Sequence, residues 1–312
     1  MSHPVLIADE LRELLDPAAL EGLDVTWIRA DEPTPKGDWV AAVPLLSRWM
    51  GGTEFKGLPR LGIVANCAVG YNNVDLVAAE MRRIVVTNTP DVLTAATADL
   101  TWALILACAR RLLAGVELVK SGSWVGWHPQ LLLGMELEGA TIGIVGAGRI
   151  GQAVGRRAVG FGMRIRYADR KPVPDFERAT GATRLELKPL LRDSDVVTLH
   201  VPSTPETKGM IGPETLALMK PGAILINTAR GDLVREEAVA IALEEGRLGA
   251  AGLDVFTEEP AIHPRLLAAP RTVLLPHLGS ATLPTRRRMA ETALANVRAV
   301  LAGRPPLTPV VP

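Results

Sequence analysis

The stretch ATIGIVGAGRIGQAVGRRAVGFGMRIRYADRK, residues 140–171, constrains the fold of this chain more than any other. Its apolar start, residues 142–145, predicts a buried parallel strand. Gly146, Ala147, Gly148, Arg149, Ile150 and Gly151 then make a GxGxxG turn. Residues 152–161 read as a helix, and residues 163–168 as a second strand ending at Asp169. Gly146 permits the tight turn, Gly148 lets the backbone approach a pyrophosphate at the helix N-terminus, and Gly151 lets helix and strand pack closely. Asp169 lies eighteen positions past Gly151, where a carboxylate accepts hydrogen bonds from an adenosine ribose. A lone GxGxxG also occurs in ordinary loops. With a strand before it, a helix after it and an acid at the next strand's end, it reads as a dinucleotide site.

A chain of 312 residues is long for one core, so two domains are expected. Lys+Arg and Asp+Glu both number 34, which leaves no basic excess to grip nucleic acid and no polybasic tail for a membrane. Cys67 and Cys108 are too few for a disulfide framework or a cysteine-rich metal site. The start, MSHPVLIADEL, lacks the basic residues and long apolar run of a signal peptide, and the apolar stretch 100–109 is too short to span a bilayer. A cytoplasmic protein is expected.

Ahead of the glycine turn, residues 5–8, 25–29, 40–45, 61–66 and 84–87 read as strands, and residues 10–20 and 74–81 as helices. This alternation is a small α/β unit without a phosphate loop, hence a second domain. Residues 94–119 read as one helix, apolar nearly all round in its first half and therefore buried. Residues 121–137 read as a loop carrying Trp124 and Trp127, which favours a subunit interface over an exposed binding surface. Beyond the turn, strands are expected at 196–200, 223–227, 252–256 and 272–275. Helices are expected at 213–219, 236–245 and 284–301, and a tail at 305–312. That is the alternation of a doubly wound parallel sheet.

Ligands in such sheets bind beyond the carboxyl ends of the strands. His200, Val201 and Pro202 end one predicted strand. Asn227, Thr228, Ala229 and Arg230 end the next, Asp254 leads on to Glu259 and Pro260, and the last strand ends at Pro276 and His277. Alone, Arg230 reads as a solvated charge, Glu259 as a turn acid and His277 as a structural histidine. Together on one edge they suit hydride transfer between a nicotinamide and a 2-oxo or 2-hydroxy acid. Arg230 offers a planar fork for carboxylate and carbonyl. His277 can pass the accompanying proton, and Glu259 can fix the imidazole and favour its charged form. His3, His128, His200 and His263 have no metal-ligand spacing, and no GxSxG elbow is present, so no metal is expected.

On VGYNNVD (69–75), GAGRIG (146–151), INTARGDLV (226–234), GLDVFTEEP (252–260) and LPHLGSAT (275–282), the chain resembles the D-isomer-specific 2-hydroxyacid dehydrogenases over nearly its whole length. The resemblance implies two doubly wound parallel-sheet domains. One is a Rossmann cofactor domain, residues 98–282, and the other a flavodoxin-like substrate domain, residues 1–97 and 283–312. It implies Arg230, Glu259 and His277 as catalytic residues, and Val69 and Gly70 as a backbone cradle for the substrate carboxylate. Thr97, Val201, Pro202, Thr207, Thr228, Asp254 and Gly279 are implied at the nicotinamide end, beside the glycine turn with Arg149 and Ile150. It also implies a homodimer.

PDVLTAATADL (90–100) and the tryptophan loop are most similar to glyoxylate/hydroxypyruvate reductases, and Leu46 falls in that group's substrate loop. Phosphoglycerate dehydrogenases usually carry an arginine in that loop. A short phosphoglycerate dehydrogenase, another family member, or a dinucleotide-sensing scaffold resembling the C-terminal-binding corepressors are the competing readings. NAD is the expected cofactor, because Asp169 repels a 2′-phosphate. Arg170 and Lys171 could attract one, so NADP stays open.

Overall fold

Among the described residues twelve short strands form two sheets, and every strand pair within them is parallel. The computed structural model describes residues 2–310. These divide into two units, the chain up to Leu93 together with the chain from Ala281 onward, and Thr94–Ser280.

The first unit holds β1 (His3–Ala8), β2 (Leu23–Ile28), β3 (Ala41–Val43), β4 (Ile63–Ala65) and β5 (Val85–Thr87), in the order β2-β1-β3-β4-β5. This is the flavodoxin-like order. Successive side chains alternate between faces. Val5, Ile7, Val43 and Ile63 pack with Met289, Leu294 and Val297 of the helix Leu283–Leu301, whereas Leu6, Ala42 and Val64 pack with Phe55 and Leu58. The closing helix is thus part of the first core, and Thr282 caps its start by accepting from the Thr285 amide.

The second unit holds β6 (Thr141–Val145), β7 (Arg164–Ala168), β8 (Thr183–Arg184), β9 (Val196–Leu199), β10 (Ala223–Asn227), β11 (Leu248–Leu253) and β12 (Thr272–Leu274). Their order is β12-β11-β10-β9-β6-β7-β8. The chain changes direction across the sheet between β6 and β9, and that switch point is where an open α/β sheet receives its ligand. Ile142, Ile144 and Ile226 pack with helices Thr94–Ala109 and Arg149–Gly160, while Val197, Leu225 and Leu253 pack with Leu190 and Leu243 on the other face. Two parallel-sheet α/β domains were expected, and two are present.

Several local expectations need correction. Residues 10–20 form no continuous helix but two 3-10 turns, Asp9–Leu11 and Pro17–Leu20, because Asp16 caps a fresh turn at Pro17. The helix expected over 94–119 is two helices, Thr94–Ala109 and Leu112–Lys120, broken where Arg111 turns left-handed at φ 51°. The strand expected at 252–256 starts earlier, at Leu248, and ends at Leu253. The helices Gly52–Gly57, Pro174–Thr180, Leu187–Asp193 and Pro264–Ala268 and the strand β8 add to the expected elements. The units separate at Leu93/Thr94 rather than within the helix at 97, since Ala98, Trp102 and Ile105 pack that helix onto the second sheet. Of the expected tail, Val311 and Pro312 lie outside the described residues. Among the described residues no helix is long and apolar enough to cross a membrane, and no cluster of side chains could hold a metal ion.

Candidate active site

The glycine turn sits at the switch point. Gly146 is left-handed at φ 95°, and a methyl group there would lie 2.6 Å from the His200 carbonyl oxygen and 2.7 Å from the Val201 side chain. The ends of β6 and β9 therefore meet at a residue that must be glycine. Gly148 differs, since a methyl group on it would meet nothing within 4 Å. The helix Arg149–Gly160 begins there without a side-chain cap, so its first N–H groups face an open surface suited to a pyrophosphate. Ile150 packs at the edge of the core below. The Asp169 carboxylate accepts from the Ala147 amide at 2.8 Å, which ties the acid at the end of β7 to the turn itself. Arg184 donates to the Asp169 carbonyl through Nε and Nη2, and to that of Arg170, and so fixes this corner. A dinucleotide fits these residues.

The acid and the histidine are paired. Glu259 Oε2 lies 2.7 Å from His277 Nδ1. Its other oxygen accepts from the Phe256 amide at 3.0 Å, so the carboxylate is anchored on the loop after β11. Burial alone would raise the Glu259 carboxyl. The hydrogen bond from His277, the Phe256 amide and the charges of His277 and Arg230 outweigh it and hold the group below the usual glutamate range. Burial pulls the Arg230 guanidinium down from its ordinary value, opposed by the nearby Glu259 and Asp232 carboxylates. An arginine stays charged under such a shift. His200 is a different kind of group. Desolvation pushes its imidazole down to about 3, and its Nε2 lies 2.9 Å from the Thr198 hydroxyl, so it is neutral across the physiological range.

The other expected residues fall into two sets. In the second unit, Thr97 donates to the Gly279 carbonyl at 3.0 Å, and Thr228 shares a 2.9 Å bond with Thr101. Thr207 folds the loop after β9 by donating to the Pro202 carbonyl. Asp254 accepts from the Leu278 and Gly279 amides at 2.7 and 2.8 Å, and its backbone carbonyl accepts from the His277 amide. These bonds hold His277 in a left-handed turn at φ 56°. In the first unit, Val69 and Gly70 lie in the loop after β4 and Leu46 in the turn after β3.

Two positions escape a reading based on motifs. Asn227 donates to the Arg230 carbonyl at 2.8 Å and accepts from the Ala229 amide at 3.0 Å, and so shapes the turn that presents Arg230. A methyl group on Gly231 would lie 1.9 Å from the Phe256 carbonyl carbon. Only a glycine lets the Arg230 turn rest against the loop that carries Glu259. The available signal was an asparagine closing an otherwise apolar strand, AILIN, and a glycine directly after the arginine.

The fold and this strand-end cluster define a nicotinamide-dependent dehydrogenase. The model of the D-isomer specific 2-hydroxyacid dehydrogenase NAD binding domain matches residues 102–279, and the chain belongs to that family. It is 51% identical to a glyoxylate reductase of Thermococcus onnurineus (strain NA1) over 86% of this chain and 81% of that protein. The corresponding protein of Pyrococcus furiosus is 50% identical over 86% of this chain and 81% of its own length. A solved structure from Thermus thermophilus superposes with a TM-score of 0.89 at 45% identity, covering 99% of this chain and 100% of that one. The NADPH-dependent glyoxylate/hydroxypyruvate reductase of Sinorhizobium meliloti, solved with NADP and malonate, gives a TM-score of 0.87 at 34% identity, covering 100% of this chain and 97% of that one.

Gly231→Ala tests the close approach. The added methyl group forces the turn away from Phe256, and a displacement of about 1 Å at a reacting centre costs roughly 10²-fold in rate. Dehydrogenase kcat/KM should fall by that order while NADH affinity, read by fluorescence titration, stays near wild type. Near-normal turnover would show that Arg230 does not depend on this contact.

Proposed function

We propose that this protein reduces a small 2-oxo acid, glyoxylate or hydroxypyruvate, to the D-2-hydroxy acid, in a cytoplasmic homodimer. The observation that carries the reading is the 2.7 Å Glu259–His277 pair beside Arg230, on the sheet edge that bears the dinucleotide turn. The names of the archaeal relatives point to the same substrate class. The dinucleotide, when bound, supplies the hydride. Gly146, Gly148, Arg149, Ile150, Gly151, Asp169 and Arg170 hold its adenosine and pyrophosphate half. Thr97, Val201, Pro202, Thr207, Thr228, Asp254 and Gly279 line its nicotinamide half. Arg230 presents its fork to the carboxylate and carbonyl of the oxo acid. A carboxylate can only accept, so Nδ1 of His277 carries a proton toward Glu259, and the proton that is transferred resides on Nε2.

NADH is the preferred cofactor in this reading, on the strength of Asp169. A second reading, NADPH, is favoured by Arg170 at the same corner and by the NADP complex of the Sinorhizobium relative. The homodimer rests on the apolar surface of residues 112–133, where Val116, Trp124 and Leu133 are more than half exposed and Trp127 is 82% exposed. An apolar surface of this kind marks an interaction site. Light scattering should give the mass of two chains, and Trp124→Ala with Trp127→Ala should lower it. A wild-type monomer at working concentration would remove this part of the proposal.

The function is tested by turnover of glyoxylate, hydroxypyruvate, pyruvate and phosphohydroxypyruvate, each with NADH and NADPH. Glyoxylate and hydroxypyruvate with NADH should be best, and Arg230→Lys should lose most of kcat/KM with little change in NADH affinity, because a lysine lacks the planar fork. Preference for the phosphorylated acid would replace this substrate assignment, and absence of any turnover would favour a sensing scaffold.

The ion pair sets the pH dependence. Reduction needs the proton on Nε2 and should fall as pH rises, whereas oxidation needs that nitrogen bare and should rise. Glu259 is depressed, so its contribution is complete above the ordinary glutamate value of 4.5 and is lost only as pH falls through the lowered value. Removing its charge in Glu259→Gln should move the alkaline limb of kcat/KM for reduction to lower pH. His277→Ala should cost about 10²–10⁴-fold in the chemical step. An unmoved limb would separate Glu259 from the proton donor.

A further inference from the structure

Glu259 sits on an exposed loop of the second unit. Residues 257–261 are all exposed, and the apolar side chains that anchor the loop to the core are the buried Phe256 before them and the half-buried Ile262 after them. A stretch with so little packing is positioned by its hydrogen bonds. One bond closes its tip, from the Ala261 amide to the Glu258 carbonyl at 2.8 Å. Its neck is held from outside by Glu236. Glu236 Oε1 accepts from the Thr257 amide at 2.7 Å, and Oε2 accepts from the His263 amide at 3.0 Å. These amides lie two residues before Glu259 and four residues after it, so one carboxylate spans the loop that carries the acid. His263 in turn starts the helix Pro264–Ala268, its carbonyl accepting from the Leu266 amide at 2.9 Å.

The root of Glu236 is firm. It takes the first position of the helix Glu236–Glu244, whose Val239, Ala240 and Leu243 are fully buried. The Arg235 amide just before it donates to the Ile211 carbonyl at 2.8 Å, and the Val234 amide to that of Gly231 at 3.0 Å. This segment leads directly from Arg230, six positions ahead of Glu236. The Arg230 segment and the Glu259 loop therefore meet twice, once where Gly231 abuts Phe256 and again where Glu236 takes both amides. The first contact sets their distance. The second sets how the loop is turned, since two bonds to one planar carboxylate fix an orientation that a single bond leaves open. The neighbouring Glu237 gives the contrast, forming an exposed ion pair with Arg265 at 3.7 Å, a kind of contact that contributes little.

We infer that Glu236 is a positioning residue of the reaction. Its carboxylate holds the neck of loop 257–263 and thereby keeps Glu259 at 2.7 Å from His277 Nδ1. In this role it acts only through Glu259. The inference rests on the oxo-acid reading above, in which His277 passes the proton.

The test uses the full-length protein isotopically labelled on its histidine nitrogens. NMR through the carbon-bound ring protons reports which nitrogen of the neutral His277 ring is protonated, and His277→Gln identifies the signal. A carboxylate only accepts, so the paired ring keeps its proton on Nδ1. Glu236→Ala should release the ring to a mixture of both tautomers and lower kcat for glyoxylate reduction by up to about 10²-fold, the cost of a displacement of about 1 Å at a reacting centre. KM for glyoxylate and NADH affinity should stay near wild type. Glu236→Gln keeps one of the two acceptors and should lie between. Glu237→Gln should match wild type. Glu236→Ala combined with Glu259→Gln should be no slower than Glu259→Gln alone, because a residue that acts through another adds nothing once that other is gone. A merely structural role would add its own loss. An Nδ1-protonated ring with wild-type kcat in both Glu236 variants overturns the inference, as do additive losses in the double variant. Should Glu236→Ala fail to fold, Glu236→Gln decides by the same two readouts. A wild type that reduces no 2-oxo acid overturns the proposed function, and the tautomer of His277 in the Glu236 variants still decides the inference.

Discussion

A parallel strand ends by leaving peptide groups without ladder partners, and a buried peptide group cannot stay unpaired. In this chain the residue at or just after the strand end takes over that task. Asn66 follows β4, Asn88 follows β5, Asp169 follows β7, Asn227 closes β10 and Asp254 follows β11. Each has a short polar side chain that reaches neighbouring backbone. Asn66 and Asn88 take carbonyls, Asp169 and Asp254 take amides, and Asn227 takes one of each. The loops at the ligand-facing edges are consequently shaped by side chains rooted in the sheets, and their geometry inherits the rigidity of the strands.

The same dependence explains one left-handed residue and one close backbone approach. His277 is left-handed, a state that costs most residues roughly 1–2 kcal/mol. Three hydrogen bonds to Asp254, two to its carboxylate and one to its carbonyl, hold it there. Asp254 is almost fully buried, and desolvation raises its carboxyl above the ordinary value despite those amides. On the neighbouring strand, Gly231 lets the Arg230 turn touch Phe256, and Asn227 closes that turn from within. Arg230, Glu259 and His277 thus come from three separate strand ends, and each is placed by bonds from neighbouring residues.

How much of this is legible in the amino-acid sequence follows from the range of each signal. The glycine turn, the strands beside it and the Glu259–His277 edge are written in local patterns of apolar residues, glycines and charge, and the fold has them where those patterns place them. The break at Arg111 is not legible in this way, because one left-handed residue leaves the apolar pattern on either side intact. The failed helix over residues 10–20 had its warning in Asp16-Pro17, a cap followed by a helix start. The asparagine clamps are the hardest to see. An asparagine after a strand reads as an ordinary turn residue, and Asn88 meets a carbonyl nineteen residues away, with Thr308 beyond that at the far end of the chain. The Asn88 bond forms only once the sheet order brings β4 and β5 side by side.

Burial and charge fix the protonation state of several groups at or near the strand ends. The Arg230 guanidinium stays charged throughout the physiological range. His200, the other histidine at a strand end, is kept neutral by desolvation, and the buried Cys67 and Cys108 thiols are pushed up to about 12 by burial. These three groups are thereby held in a single protonation state at neutral pH. In the Glu259–His277 pair the glutamate is held ionised, with the imidazole Nδ1 2.7 Å from its carboxylate. In the proposed reaction the proton therefore moves at this pair, while Arg230 and the desolvated His200 keep their charge state.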